Sequence, residues 1–303
     1  MLVKNFNEIF ERLKAFPPVT LSVVQAADEP VLEAVRDAKE KGLIKPILVG
    51  KKEDIQKRAE NVGLTLEEGE ILDCPEDKAA KEGVKLVAQN KAEVLMKGLI
   101  DTATFMKAVL DPEMGLRTGT LLSHLAAFEV PSYPKLLFLT DGGVNIAPTL
   151  EEKIFILQNA IDALHSLGYD KPKAAILCAV ETVSQKMPAT VDAAIISKMA
   201  ERNQIKGALV DGPLALDNAV NEEAAFHKGI KSPVAGNADL LLVPNIETGN
   251  ALGKSLSFLA KGAMAGIVLG AKAPIVLSSR ADSSFSKLAS IALACLVKRG
   301  GKI

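Results

Sequence analysis

The chain has 303 residues, 48% of them hydrophobic and 24% charged, with 36 Lys and Arg against 37 Asp and Glu for a net charge of −1. A chain this long suits two domains or one large α/β unit and buries enough apolar surface to fold without a disulfide or metal staple. The balanced charge excludes a basic surface for nucleic acid or anionic membrane, and an aromatic content of 4% with no Trp and two Tyr excludes a stacking platform for single strands.

Short apolar runs alternate with helix-period segments along the chain. The N-terminus mixes charges every few residues and predicts an amphipathic helix, not a secretory signal. Residues 19–24 predict a strand, 30–41 a helix with Asp28 as N-cap and Gly42 at its end, and 44–49 a strand closed by Gly50. A helix over 77–89 and a short strand over 93–96 lead into Lys97-Gly98. Residues 136–139 predict a strand ending at Thr140-Asp141-Gly142-Gly143. Thr149 then opens a capping box with Glu152, and Leu150, Ile154, Leu157, Ile161 and Leu164 follow at helical spacing as far as Gly168. Strands are expected at 174–180, 208–210, 240–243, 266–269 and 275–277, with helices at 188–203, 249–264 and 285–297. Strands apolar throughout, alternating with helices, predict mainly parallel sheets covered by helices on both faces. Pro131-Ser132-Tyr133-Pro134 is the expected domain boundary. The longest apolar run, 262–271, is bounded by Lys261 and Lys272 and falls short of the ~20 residues of a membrane helix.

Sites in such folds lie beyond the carboxyl ends of strands. No GxGxxG, GxSxG or HExxH occurs. Gly249-Asn-Ala-Leu-Gly253-Lys254-Ser255 resembles a phosphate loop but is one residue short between its glycines. It reads either as an anion contact through backbone N–H groups or as a plain helix start with an exposed Lys. Ser278-Ser279-Arg280-Ala281-Asp282-Ser283-Ser284 follows a strand and opens a helix. It reads either as an oxyanion or phosphate cradle or as a Ser-rich cap beside a solvated Arg. His165 and His227 complement helix C-termini, whereas His124 is either titrating or structural. Cys178 and Cys295 read as inert small hydrophobes, and Cys74, with no CxxC partner, completes a sparse set suited to a reducing cytoplasm. Asp141, Asp211 and Asp239 near strand ends either converge on a divalent metal or cap turns, and no metal is expected.

Several strings together resemble the phosphate acetyl/butyryl-transferase family. They are Lys97-Gly98 with Thr102 and Lys107; Leu122-Ser123-His124; the 140–148 loop Thr-Asp-Gly-Gly-Val-Asn-Ile-Ala-Pro; 211–219, Asp-Gly-Pro-Leu-Ala-Leu-Asp-Asn-Ala; 232–239, Ser-Pro-Val-Ala-Gly-Asn-Ala-Asp; Pro244 with Gly249-Asn250 and Lys254; and Leu277-Ser278-Ser279-Arg280. They run in family order across nearly the whole chain, and Ser123-His124 with the 140–148 loop look like the butyryl branch.

The resemblance implies a reversible reaction, acyl-CoA plus phosphate giving acyl phosphate plus CoA, in a ternary complex with no covalent enzyme intermediate. It implies two α/β/α domains like those of isocitrate and isopropylmalate dehydrogenases, with a substrate cleft between them. Residues 1–134 and 277–303 would form a discontinuous first domain, and 135–276 a second that carries the interface of a dimer or higher homo-oligomer. Ser279 matches the residue that stabilises the thiolate or tetrahedral oxyanion, and Arg280 the phosphate ligand. Lys107, Arg117, Thr140, Asp141, Asn145, Asn250 and Lys254 form the implied substrate-binding set. The acetyl branch has an Arg where this chain has Lys107, and a basic Asp where it has Ser286. Asp282 or His124 is left for proton transfer, unless positioning alone suffices. CoA enters as substrate, with no tightly bound cofactor, and few aromatics leave its phosphates and pantetheine amides as the handles. A metal- and NAD-dependent hydroxyacid dehydrogenase of the same fold is the alternative enzyme, and a CoA-ester or phosphate sensor the non-enzymatic one.

Overall fold

The computed structural model describes residues 3–279 and 282–300. The chain packs as two compact units, a terminal unit of residues 6–120 and 265–300 and a central unit of residues 3–5 and 121–264. In chain order the first segment holds α1 (Phe6–Leu13), β1 (Val19–Val24), α2 (Glu29–Glu40), β2 (Ile44–Gly50), α3 (Lys52–Asn61), β3 (Ile71–Asp73), α4 (Glu76–Ala88), β4 (Val94–Lys97) and α5 (Thr102–Val109). The central segment holds β5 (Ser123–Glu129), β6 (Leu137–Thr140), α6 (Leu150–Ser166), β7 (Lys173–Leu177), α7 (Pro188–Glu201), β8 (Leu209–Leu214), α8 (Leu216–Val220), α9 (Glu222–His227), β9 (Leu240–Leu242) and α10 (Ile246–Lys254). A π-helical turn over Ser255–Leu259 continues α10, and β10 (Ala263–Leu269), β11 (Ile275–Val276) and α11 (Ser284–Gly300) complete the chain.

The strand order in the terminal unit is β3-β2-β1-β4-β11-β10, parallel except for β10 against β11. In the central unit it is β5-β6-β9-β7-β8, parallel except for β5 against β6. Both units are therefore mixed α/β with mainly parallel sheet, as expected. β1 pairs on both sides, and all its residues but Thr20 are buried. That double burial suits its apolar Val19, Leu21, Val23 and Val24, and the one fully buried polar side chain, Ser22, donates its hydroxyl to Gly83 O at 3.1 Å. α11 is buried continuously from Lys287 to Val297 and packs on α2 and α1. The Phe285 ring meets Phe6 and Phe10 edge-on at 6.1 and 6.3 Å. In the central unit Phe128, Leu137, Leu139, Leu177, Leu241 and Val243 share one core cluster.

Most of the expected elements match to within a residue or two, and the Thr149/Glu152 capping box closes in both directions, but β8 runs on to Leu214 through Asp211, and α3, β3, α5, β5 and α8 were not expected. Three differences matter. The expected helix over 249–264 starts earlier, at Ile246, and ends before Ala263, whose apolar run is β10. Both elements are apolar, so their boundary is invisible to periodicity. The expected strand over 174–180 stops at Leu177, so Cys178 lies just beyond it. Pro131–Pro134 is the connection between antiparallel β5 and β6, and the division between units falls at 120/121. Pro-rich turns mark chain reversals as readily as linkers.

Candidate active site

In the central unit the candidate residues gather where β6 ends. The Asp141 carboxylate is 2% exposed and accepts four hydrogen bonds. Oδ1 takes Gly143 N and Val144 N, each at 2.8 Å. Oδ2 takes Asn145 Nδ2 at 2.7 Å and His124 N at 3.0 Å. Thr140 Oγ1 donates to His124 O at 2.8 Å, so both backbone groups of His124 are held by this loop. Asn145 Nδ2 also donates to Leu122 O. A carboxylate with this many donors is a template that shapes its loop. The Thr140–Asp141 peptide is cis. The loop docks on α10, where Ile246 N donates to Ile146 O at 2.9 Å. A Cβ on Gly249 would lie 2.6 Å from Gly142 Cα, which explains glycine at that crossing. Asn250 Nδ2 reaches Gly142 O at 3.5 Å, and Lys254 is exposed in the last turn of α10.

Two sequence readings change here. The phosphate-loop look-alike is not a loop. Asn245 caps α10, and Gly249 N already donates to Asn245 O inside the helix, so its N–H is not offered to an anion. The three Asp residues do not converge. Asp141 follows the carboxyl end of β6, whereas Asp239 precedes β9, the strand parallel to β6, and so lies at the amino edge. There Asp239 pairs with Lys135 at 2.5 Å and accepts from Lys173 N at 2.8 Å. Asp211 lies within β8, where its side chain accepts from Gly212 N at 2.8 Å. Among the described residues no group of three or more His, Cys, Asp or Glu side chains is arranged to hold a metal ion.

In the terminal unit β11 runs parallel to β4, with Val276 beside Met96. The segment 277–279 therefore leaves the sheet at the same edge as Lys97, whose buried ammonium donates to Gly98 O at 3.4 Å. Ser279 is exposed, and its N–H donates to Asp282 Oδ2 at 2.7 Å while Asp282 N returns a bond to Ser279 O at 3.2 Å. Ser283 Oγ then accepts from Ser286 N at 3.1 Å and caps α11, so the Ser-rich cap is real. Ser284 Oγ donates to Glu33 Oε2 at 2.5 Å. Arg280 and Ala281 lie outside the described residues. Lys107 on α5 and Arg117 are exposed, and Arg117 bridges the backbone of Ala271. Sequence reasoning missed Lys287. Its side chain is buried and donates to Asp282 O at 2.5 Å and Ser279 O at 3.3 Å. The available signal was a lone Lys in the otherwise apolar run of α11.

The thiols are poor nucleophiles. Burial pushes Cys178 up to about 11 and raises Cys295 further, and Cys74 is raised by burial and by Glu82 and Asp73. Cys178 lines a cavity of about 480 Å³ in the central unit with Leu177, Met187, Pro188, Pro244 and Asn245. His165 and His227 lie in the last turns of α6 and α9, as expected.

The sequence matches the family model described as phosphate acetyl/butaryl transferase over residues 6–84 and 75–295. The chain belongs to that family. It is 50% identical to a phosphate butyryltransferase of Clostridium acetobutylicum over 297 residues, covering 98% of this chain and 99% of that one. It is 45% identical to a phosphate acetyltransferase of Thermotoga maritima, covering 91% and 94%. Among solved structures, a branched-chain phosphotransacylase of Enterococcus faecalis V583 superposes with a TM-score of 0.80 at 35% identity, covering 92% and 99%. A 4-hydroxythreonine-4-phosphate dehydrogenase of Burkholderia phymatum shares the fold at 14% identity and a TM-score of 0.54. The dehydrogenase alternative thus has a likeness of fold and nothing more. Among the described residues no helix is long and apolar enough to cross a membrane.

Proposed function

We propose that this phosphate acyltransferase moves a short-chain acyl group, butanoyl foremost, between CoA and inorganic phosphate. A phosphate oxygen adds to the thioester carbonyl carbon, the C–S bond breaks, and the hydrogen of hydrogen phosphate ends on sulfur. Acyl-CoA and hydrogen phosphate become acyl phosphate and CoA thiol with no net proton change. Held substrates need orientation and fixed donors more than a covalent nucleophile.

The reading assigns Ser279 Oγ to the developing oxyanion or thiolate and Arg280 to phosphate. Asp282 holds the turn through Ser279 N and, with His124, is the group available to carry the proton. Lys107, Arg117, Asn250 and Lys254 supply charge and polar contacts for phosphate and the CoA phosphates. Thr140, Asp141 and Asn145 serve by shaping the loop around His124. CoA acts as a substrate in the cytoplasm, no cofactor is held tightly, and the chain works as a dimer or higher homo-oligomer whose interface lies in the central unit.

The observation that supports this most is at Ser279: an exposed serine three residues beyond the end of β11, with its backbone N–H and C=O held by Asp282 and Lys287. Release of free thiol from butanoyl-CoA, measured with and without phosphate, tests it. The expected result is turnover strictly dependent on phosphate. Turnover indifferent to phosphate with every short acyl-CoA overturns it. Comparing kcat/KM for acetyl-, propionyl- and butanoyl-CoA then settles the acyl preference, since one methylene discriminates by ~1–3 kcal/mol.

A further inference from the structure

We propose that Lys287 is a positioning residue for acyl transfer, holding the backbone of Ser279 through a buried ammonium. The inference rests on the reading that Ser279 meets the reacting group.

Lys287 breaks two local rules at once. Its side chain is 2% exposed, and a buried cation is costly unless its donors are met. It also lies in the opening turns of α11, four residues after the cap Ser283, where the helix dipole disfavours positive charge and no acidic residue occupies the first turn. Every interior position of α11 from Leu288 to Val297 is filled by an uncharged residue, so packing alone is met without a Lys.

The side chain's acceptors among the described residues explain its place. Nζ donates to Asp282 O at 2.5 Å and to Ser279 O at 3.3 Å. These are the carbonyls of the two residues that already exchange hydrogen bonds through Asp282 Oδ2 and Ser279 O. Ser279 O thus accepts from both Asp282 N and Lys287 Nζ, while Ser279 N is held by the Asp282 carboxylate. The ammonium locks the backbone of one exposed serine from below, and the helix carrying it is anchored in the core of the unit. Rule-breaking residues of this kind are expected where structure serves a site.

The test compares Lys287→Met, which keeps length and apolar volume but removes the donors, with Lys153→Met as control. Lys153 is also a buried lysine, paired with Asp192 at 2.7 Å in the central unit, and has no place in the proposed machinery. Thiol release from butanoyl-CoA is measured with phosphate varied, on wild type, both variants and Ser279→Ala, each corrected for folded fraction by circular dichroism. Lys287→Met is expected to lower kcat by about 10- to 100-fold, the size of a slight misplacement of a reacting group, with the KM for acyl-CoA held. Lys153→Met is expected to change thermal stability and leave kcat per folded molecule as in wild type. If Lys287→Met does not fold, Lys287→Gln, which keeps a neutral but shorter donor, is read in the same way. A kcat per folded molecule equal to wild type in the folded Lys287 variant overturns the inference. If that happens while Ser279→Ala is impaired, the reading of Ser279 survives. If Ser279→Ala is unimpaired, or wild type turns over without phosphate, that reading itself has failed.

Discussion

Replacing Asp141 by Asn changes one oxygen for an NH2 and leaves the shape of the side chain intact. The structure sets the cost. Gly143 N and Val144 N face one oxygen, and Asn145 Nδ2 and His124 N face the other. Whichever way the amide turns, two donors meet a donor. At ~1.5–3 kcal/mol for each hydrogen bond to a charged acceptor, the loss is about 3–6 kcal/mol, with no water to replace it at a carboxylate this deeply buried. A fall in melting temperature of roughly 10 °C is expected by calorimetry, taking about 2–4 °C per kcal/mol for a unit of this size. Because the same carboxylate carries His124 N, phosphate-dependent turnover per folded molecule is expected to fall as well. A melting temperature within about 2 °C of wild type would refute the template role and leave Asp141 as a direct ligand of substrate.

Asp239→Asn leaves Lys135 buried without its carboxylate, so a destabilisation of about 3–5 kcal/mol in urea unfolding is expected, with turnover per folded molecule unchanged. A fall in turnover beyond the folded fraction would move Asp239 into the chemistry. Iodoacetamide on the native protein is expected to modify half-buried Cys74 ahead of Cys178 and Cys295, with phosphate-dependent thiol release unchanged. Loss of activity in step with modification of Cys178 would restore a thiol to the mechanism. The carboxyl of Asp101 caps α5, and its hydrogen bonds with Thr104 hold it below the usual carboxylate value. A depressed native value adds stability above the unfolded pKa, and that contribution is lost as pH falls through the native value. Asp101→Ala is therefore expected to flatten stability against pH below about pH 4, measured as urea midpoints. An identical profile in the two proteins would remove the cap's contribution.

Element order was legible wherever apolar runs had one cause. β1 and β2 read correctly because each is a short, mainly β-branched or aliphatic run closed by a change of composition, despite Thr20 and Ser22 in β1 and an exposed Lys45 in β2. α3 was invisible because it buries only Ile55 and Ala59 in ten residues, too sparse a stripe for periodicity. β5 escaped because Ser123 and His124 open it and look like a loop motif, although Ser123 is buried and its Oγ accepts from Asn159 Nδ2 at 3.0 Å. The candidate site was read from residue types, and the structure adds which of them hold backbone. Thr140, Asp141 and Asn145 looked like ligands because they are polar at a strand end, yet their side chains turn inward to hold backbone. Lys287 did not stand out, because a lysine within an apolar helix gives no hint of which carbonyls it will reach.

Charges held inside each unit are of two kinds, those paired with an opposite charge and those met by dipoles, and the difference bears on mechanism. At the amino edge, charges cancel within the protein: Asp239 pairs with Lys135, and Glu93 takes Arg299 at 2.6 Å while accepting from Thr20 N. On the carboxyl side Lys153 is likewise paired with Asp192, but Asp141 and Lys287 are met by neutral dipoles. Asp141 is held by three backbone N–H groups and one amide, and Lys287 by two carbonyls. A charge solvated by dipoles keeps its field, whereas a paired charge loses most of its own. A charge paired within the protein therefore contributes to stability and little else. The Lys287 ammonium, met by carbonyls rather than by a direct carboxylate contact, contributes positive potential behind Ser279, and fixed groups of this kind need not reorganise as charge moves. This is why the two kinds of charge are expected to respond differently to substitution: Asp239→Asn should read out in unfolding, and Lys287→Met in turnover.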